Sequence, residues 1–203
     1  MGIAVLQQCP QRLPLNVWIE YGKNGKKCDK AKSCIRKECI YRVVDKVKME
    51  DRIIKSQKSV IIATDVEIKK LSNLIDATMN VPGISGYKIG FNLCLQGLYS
   101  ATFRIKGSCK DKKFEPVIIY DHQKAGNDIP EMGKNFAKIL KDAGVDAAIL
   151  FPFAGPKTQQ RWTDECLDAG LKVIIGGVMT HEEFLVSEGG YIADDAPESI
   201  FIM

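Results

Sequence analysis

Acid, base and acid stand within eight positions of one another at Asp121, Lys124 and Asp128, directly after the apolar run Val117-Ile118-Ile119-Tyr120. Alternating carboxylates and ammonium groups hold each other ionised and immobile at neutral pH. Such a set presents fixed charge to a substrate, and a lysine within it can deliver a proton. Other apolar runs end in polar residues too. Thr64-Asp65 follows Ile61-Ile62-Ala63, Lys88 and Asn92 belong to Tyr87-Lys88-Ile89-Gly90-Phe91-Asn92, and Thr180 and His181 follow Val173-Ile174-Ile175-Gly176-Gly177. A further run closes in Phe151-Pro152-Phe153-Ala154-Gly155, an apolar wall with no titrating group.

These groups act together only if the chain brings the run ends to one place. Val117 to Tyr120 reads as a parallel strand buried on both faces. Gly126 and Asn127 then permit a tight turn, Asp128 suits a helix N-cap, and Pro130 suits a first helical turn. Five apolar, β-branched-rich segments begin near Ser59, Tyr87, Pro116, Ala147 and Lys172, at steps of 28, 29, 31 and 25 residues. That spacing fits strand–helix units rather than hairpins. Between them, Ile68, Leu71, Leu74, Ile75 and Met79 mark one helical stripe closed by Pro82-Gly83. Ile129, Met132, Phe136, Ile139 and Leu140 mark another, ended by Gly144.

A parallel βα array builds either an eightfold barrel or an open doubly wound sheet, and catalytic groups sit at the C-terminal strand ends in both. Five units would complete a small flavodoxin-like sheet. Lys88 argues for the barrel. Alternation turns Tyr87 and Ile89 to one face and Lys88 and Gly90 to the other. A charge within a central strand is costly unless it faces a partnered, functional interior, which a barrel mouth supplies more naturally than a helix-covered face.

Taken singly, most of these residues have plainer readings. Asp128 alone is an ordinary cap, Lys124 a solvated loop lysine and Asp65 a turn residue. His181 reads as the start of a helix, His181-Glu182-Glu183-Phe184, and His122 as structural. The glycine pairs 176–177 and 189–190 are too sparse for a phosphate cradle. Lys88 has the fewest plain explanations.

The 203 residues, 45% hydrophobic, suffice for one main domain. No apolar run reaches the length of a membrane span, and the N-terminus shows no charged region leading into an apolar block, so a cytoplasmic protein is expected. Net charge is +4 overall, but residues 1–58 carry 14 Lys+Arg against 6 Asp+Glu, and residues 59–203 carry 15 against 19. A basic extension over residues 1–50 thus precedes a mildly acidic domain over 51–203. The extension holds Cys9, Cys28, Cys34 and Cys39. They lack the close Cys-x-x-Cys pairs of a zinc site, and a solvated lysine-rich segment is the plainer reading than a nucleic-acid contact.

From about Lys55 onward the chain resembles the orotidine 5'-phosphate decarboxylase family, in a divergent archaeal-type branch. The resemblance rests on Ile61-Ile62-Ala63-Thr64-Asp65, Tyr87-Lys88-Ile89-Gly90-Phe91, Asp121…Lys124…Asp128-Ile129-Pro130 and Val178-Met179-Thr180-His181, in that order. It implies a (β/α)8 TIM-barrel type of fold, incomplete here with about five βα units, and a cofactor-free, metal-free decarboxylase of de novo pyrimidine synthesis converting orotidine 5'-phosphate to UMP. Lys124 would protonate C6 as carbon dioxide leaves. Asp121 would crowd the substrate carboxylate, and Lys88 would bridge Asp121 and the ribose. Asp65 would bind ribose, and Thr180 would contact the pyrimidine. Asp128 would reach the neighbouring site of a homodimer, with neither nucleic acid nor membrane as partner. The spacing departs from the family's Asp-x-Lys-x-x-Asp by one residue in each gap. If the strand ran on to Gln123, Asp121 and Lys124 would face opposite ways.

Residues 59–203 also fall short of the roughly 200–250 residues of a full barrel, so the chain by itself is expected to be a poor catalyst. Two other functions compete: a magnesium-dependent aldolase resembling hexulose-6-phosphate synthase, of the same superfamily, and a non-enzymatic doubly wound binding domain.

Overall fold

The computed structural model describes residues 53–54, 59–110, 114–121, 126–179 and 181–202. The basic extension, His122, Lys124 and Thr180 lie outside the described residues.

Strand and helix alternate along the chain. β1 (Val60–Ala63) leads to α1 (Ile68–Thr78), and β2 (Ile84–Gly90) leads to the short α2 (Phe91–Leu95) and α3 (Leu98–Cys109). β3 (Val117–Asp121) precedes α4 (Met132–Asp142), β4 (Ala147–Leu150) precedes α5 (Pro156–Asp168), and β5 (Lys172–Ile175) is followed by a 3-10 turn and α6 (Ala196–Ile202). The expected strand starts are met within a residue except at β2, which begins at Ile84, three residues before Tyr87. Ser85 and Gly86 weaken the apolar signal there, yet Ile84 and Gly86 pair with Val60 and Ile61 across a register shift that leaves Ser85 unpaired in the ladder.

All neighbouring strands are parallel, in the order β1-β2-β3-β4-β5. A doubly wound sheet reverses direction from its first strand, as in the order 2-1-3-4-5. Consecutive order without reversal is how an eightfold barrel grows. The packing agrees. Tyr87, Ile89, Ile118, Tyr120, Ala148, Leu150, Val173 and Ile175 form one apolar layer with residues from all six helices. The opposite face carries a smaller cluster, Ile119, Ala147, Ile149 and Phe151, to which no helix contributes a buried side chain. Helices on one face only define an outer and an inner surface. The fold is an open α/β sheet with the strand order and one-sided cover of a partial TIM barrel.

Helix stripes follow burial with one correction. Leu71 and Ile75 of α1 are fully buried, as their spacing requires. On α4 the buried residues are Gly133, Ala137 and Leu140, whereas Ile129, Met132 and Ile139 are exposed. Gly133 sets that rotation. A Cβ there would stand 3.0 Å from Trp162 Cα, so the bare backbone lets α5 approach and turns the larger apolar residues outward.

Candidate active site

Lys88 enters the inner face from β2, and Asp121 ends β3. In the ladder Lys88 lies level with Ile119, and Asp121 lies level with Gly90 and Ile149. The carboxylate is thus one inner-face position nearer the C-terminal edge, and a lysine stem is long enough to climb to it. The Lys88 ammonium donates to Asp121 Oδ2 in an ion pair. Side-chain exposure is 27% for Lys88 and 10% for Asp121. Asp121 Oδ1 is buried and has no hydrogen-bond partner among the described residues. Buried oxygens are seldom left so.

Asp65 approaches from β1. Its Oδ1 lies where a side chain at Gly90 would begin, 2.9 Å from the position of a Cβ there. Thr64, fully buried, donates its Oγ1 proton to the Lys88 carbonyl oxygen at 2.8 Å and its backbone N–H to the same oxygen at 2.9 Å. Lys88 and Asp121 therefore meet at the C-terminal ends of β2 and β3, and Asp65, exposed after β1, lies against Gly90 beside them.

The other side of the inner face is a wall. Ile149 and Phe151 are buried, with Ile174 and Met179 packed against them. Phe153 continues it, with ring centroids 6.2 Å from Phe151 and 5.4 Å from Phe184. The segment 151–155 thus has the apolar role its composition implies. Past β5 an open depression of about 510 Å³ is lined by Met179, His181, Glu182, Glu183 and Glu188. Its carboxylates would repel a phosphate.

Two local expectations fail. Asp128 does not cap a helix: α4 starts at Met132 after Glu131, and Asp128 Oδ1 accepts instead from the adjacent Ile129 N–H at 2.7 Å. Its segment is tied down from α5, where Thr158 donates to the Asp128 carbonyl at 3.1 Å and Trp162 Nε1 donates to the Ile129 carbonyl at 3.0 Å. These side chains hold the backbone three residues before the helix begins, and the Asp128 carboxylate remains exposed. Nor does His181 open a helix. Residues 181–183 are bends, Glu183 has φ +59, and Phe184 is buried against Phe153 and the His181 ring. A left-handed residue at 183 and an inward aromatic at 184 stop helical propagation.

Lys124 and Thr180 are the predicted site residues outside the described ones. β3 is described as far as Asp121, and Gln123 and Lys124 lie outside the described residues. Among the described residues no three His, Cys, Asp or Glu side chains converge as a metal site, and no helix among them is long and apolar enough to cross a membrane. Sequence reasoning missed the parts played by Thr64 and Gly90. The usable signal was Gly90 falling on the Lys88 face by alternation.

No family model matches the chain, and no curated protein matches it. Among solved structures it is similar to orotidine 5'-monophosphate decarboxylase from Methanocaldococcus jannaschii, with 24% identity and a TM-score of 0.47, covering 61% of this chain and 56% of that one. It is also similar to orotidine 5'-phosphate decarboxylase from Pyrococcus horikoshii OT3, with 24% identity and a TM-score of 0.37, covering 51% of this chain and 46% of that one. The chain spans about half the length of each. The family named by the resemblance in the sequence is also the family of these structural neighbours.

Proposed function

We propose that the chain carries the decarboxylating site of an orotidine 5'-phosphate decarboxylase, converting that nucleotide to UMP and carbon dioxide without metal or organic cofactor. The observation that supports this best is the Lys88–Asp121 ion pair on the inner face, with Asp121 Oδ1 buried and unpartnered among the described residues. The C6–carboxylate bond breaks, its electron pair stays on C6, and an ammonium proton moves to that carbon. Asp121 sets like charge against the substrate carboxylate, a repulsion that vanishes once neutral carbon dioxide departs. Lys88 bridges Asp121 and the ribose hydroxyls. Lys124 is the proton donor, since an ammonium held among carboxylates stabilises a developing carbanion without reorganisation. Asp65 binds ribose hydroxyls, and Thr180 contacts the ring beside the wall of Phe151 and Met179. Binding of the remote phosphate drives closure. The active unit is a homodimer in which Asp128, exposed on its anchored segment, reaches the partner's site.

The test joins turnover to binding. The full chain is assayed for loss of orotidine 5'-phosphate absorbance and titrated with UMP by calorimetry. UMP binding that disappears in Lys88→Ala supports the reading. Failure to bind UMP at millimolar concentration overturns it. Activity or binding abolished by a chelator and restored by magnesium would transfer the site to the aldolase class.

A further inference from the structure

The seat of Asp65 is set by atoms that a neighbour lacks. Gly90 has φ −86 and ψ 177, an extended conformation open to any residue, so backbone freedom does not explain a glycine there. Space does. A Cβ at Gly90 would stand 2.9 Å from Asp65 Oδ1 and 4.0 Å from the Asp121 carbonyl oxygen. The first distance is one that real Cβ atoms essentially never show, so a side chain at position 90 has to shift the exposed Asp65 carboxylate from its place. The same slot opens on the inner face, in register with Asp121 and one inner position beyond Lys88. Thr64 fixes where Asp65 starts. Its N–H and its hydroxyl both donate to the carbonyl oxygen of Lys88, tying the root of Asp65 to the residue whose ammonium pairs with Asp121.

We infer that Gly90 and Thr64 are positioning residues that seat the Asp65 carboxylate beside the Lys88–Asp121 pair, Gly90 by leaving the slot open and Thr64 by anchoring the backbone that enters it. A carboxylate there accepts from vicinal hydroxyls of a bound ribose, and this ligand assignment rests on the decarboxylase reading above. Were the two residues needed only for folding, their substitution would change stability and leave Asp65 where it is.

The experiment follows Asp65 with and without ligand in the full chain. Gly90→Ala is expected to weaken UMP binding about tenfold, the scale of a hydrogen bond to a charged group. It should weaken binding no further once Asp65→Ala is present. Without ligand, the side-chain carboxyl carbon resonance of Asp65 should shift in Gly90→Ala and stay unmoved in Gly107→Ala, where a Cβ meets nothing within 4 Å. Thr64→Val should shift the same resonance, and Thr64→Ser should restore it. Additive losses in Gly90→Ala and Asp65→Ala, or an Asp65 resonance indifferent to Gly90→Ala, overturn the inference. If the unsubstituted chain does not bind UMP, the decarboxylase reading falls, and the resonance alone decides the positioning claim.

Discussion

The two faces of this sheet treat ionisable groups in opposite ways. On the outer face they are kept neutral. Burial pushes up the Tyr87 phenol and the Cys109 thiol at the end of α3. Burial first, then Cys94 and Asp121, raises the Tyr120 phenol, and burial takes the Cys166 thiol up to about 12. On the inner face Lys88 and Asp121 meet as an ion pair, and the Asp65 carboxylate stands at the Gly90 slot. Burial with no opposite charge beside the group disfavours the ionised form, whereas a neighbouring opposite charge favours it. The same five strands thus serve as a core on one side and as a scaffold for charge on the other.

Changing one face should harm folding and the other binding. The largest stability loss is expected from Ile89→Ala, where a fully buried outer-face side chain leaves a cavity costing about 2–5 kcal/mol, read as a lower urea midpoint. Next comes Lys88→Met. It strands a carboxylate that is 10% exposed and should cost about 1–3 kcal/mol, between the surface and buried limits for an ion pair. Asp121→Leu on top of Lys88→Met should recover most of that stability while UMP binding stays lost. A double variant no more stable than Lys88→Met would show that the pair does not act as a unit.

Alkaline pH tests the buried Cys166 thiol of the outer layer. Because the Cys166 thiol ionises at about 12 in the folded chain and near 9 when unfolded, its contribution is present below pH 9 and is lost as pH rises from 9 to 12. The unfolded state releases its proton first, so stability falls by about 1.4 kcal/mol per pH unit in that window. Cys166→Ala should flatten part of the slope in urea titrations at successive pH values, and the raised Tyr87, Tyr120 and Cys109 act in the same direction. Gly107→Ala is the smallest effect. An exposed glycine inside α3 with open space around it should gain about 0.5–1 kcal/mol on replacement. UMP affinity should not change, since that helix position lies in the outer layer.

Much of the fold was legible because local rules and tertiary demand agreed. The β-branched runs at Val60, Val117, Ala147 and Lys172 became parallel strands, and the Tyr87/Lys88 alternation placed those residues on opposite faces. Reading failed where a tertiary contact outranked a local preference. Thr158 and Trp162 hold the chain at Asp128 and Ile129, so the helix that Asp128 might have capped begins later. Phe184 turns inward onto Phe153, so His181 opens no helix. Gly133 against Trp162 rotates Met132 and Ile139 into solvent.

What the sequence determined alone is the inventory: βα units at steps of 25 to 31 residues, with polar and charged residues following most of the apolar runs. Periodicity is a property of the covalent chain and its side-chain directions, and it survives without knowledge of neighbours. Only the tertiary structure decided that the strands lie in consecutive order with helices on one face, that Lys88 climbs to Asp121, and that Asp65 occupies the room left at Gly90. Those are distances between residues 25 or more positions apart, set by packing and strand register rather than by the preference of any single residue.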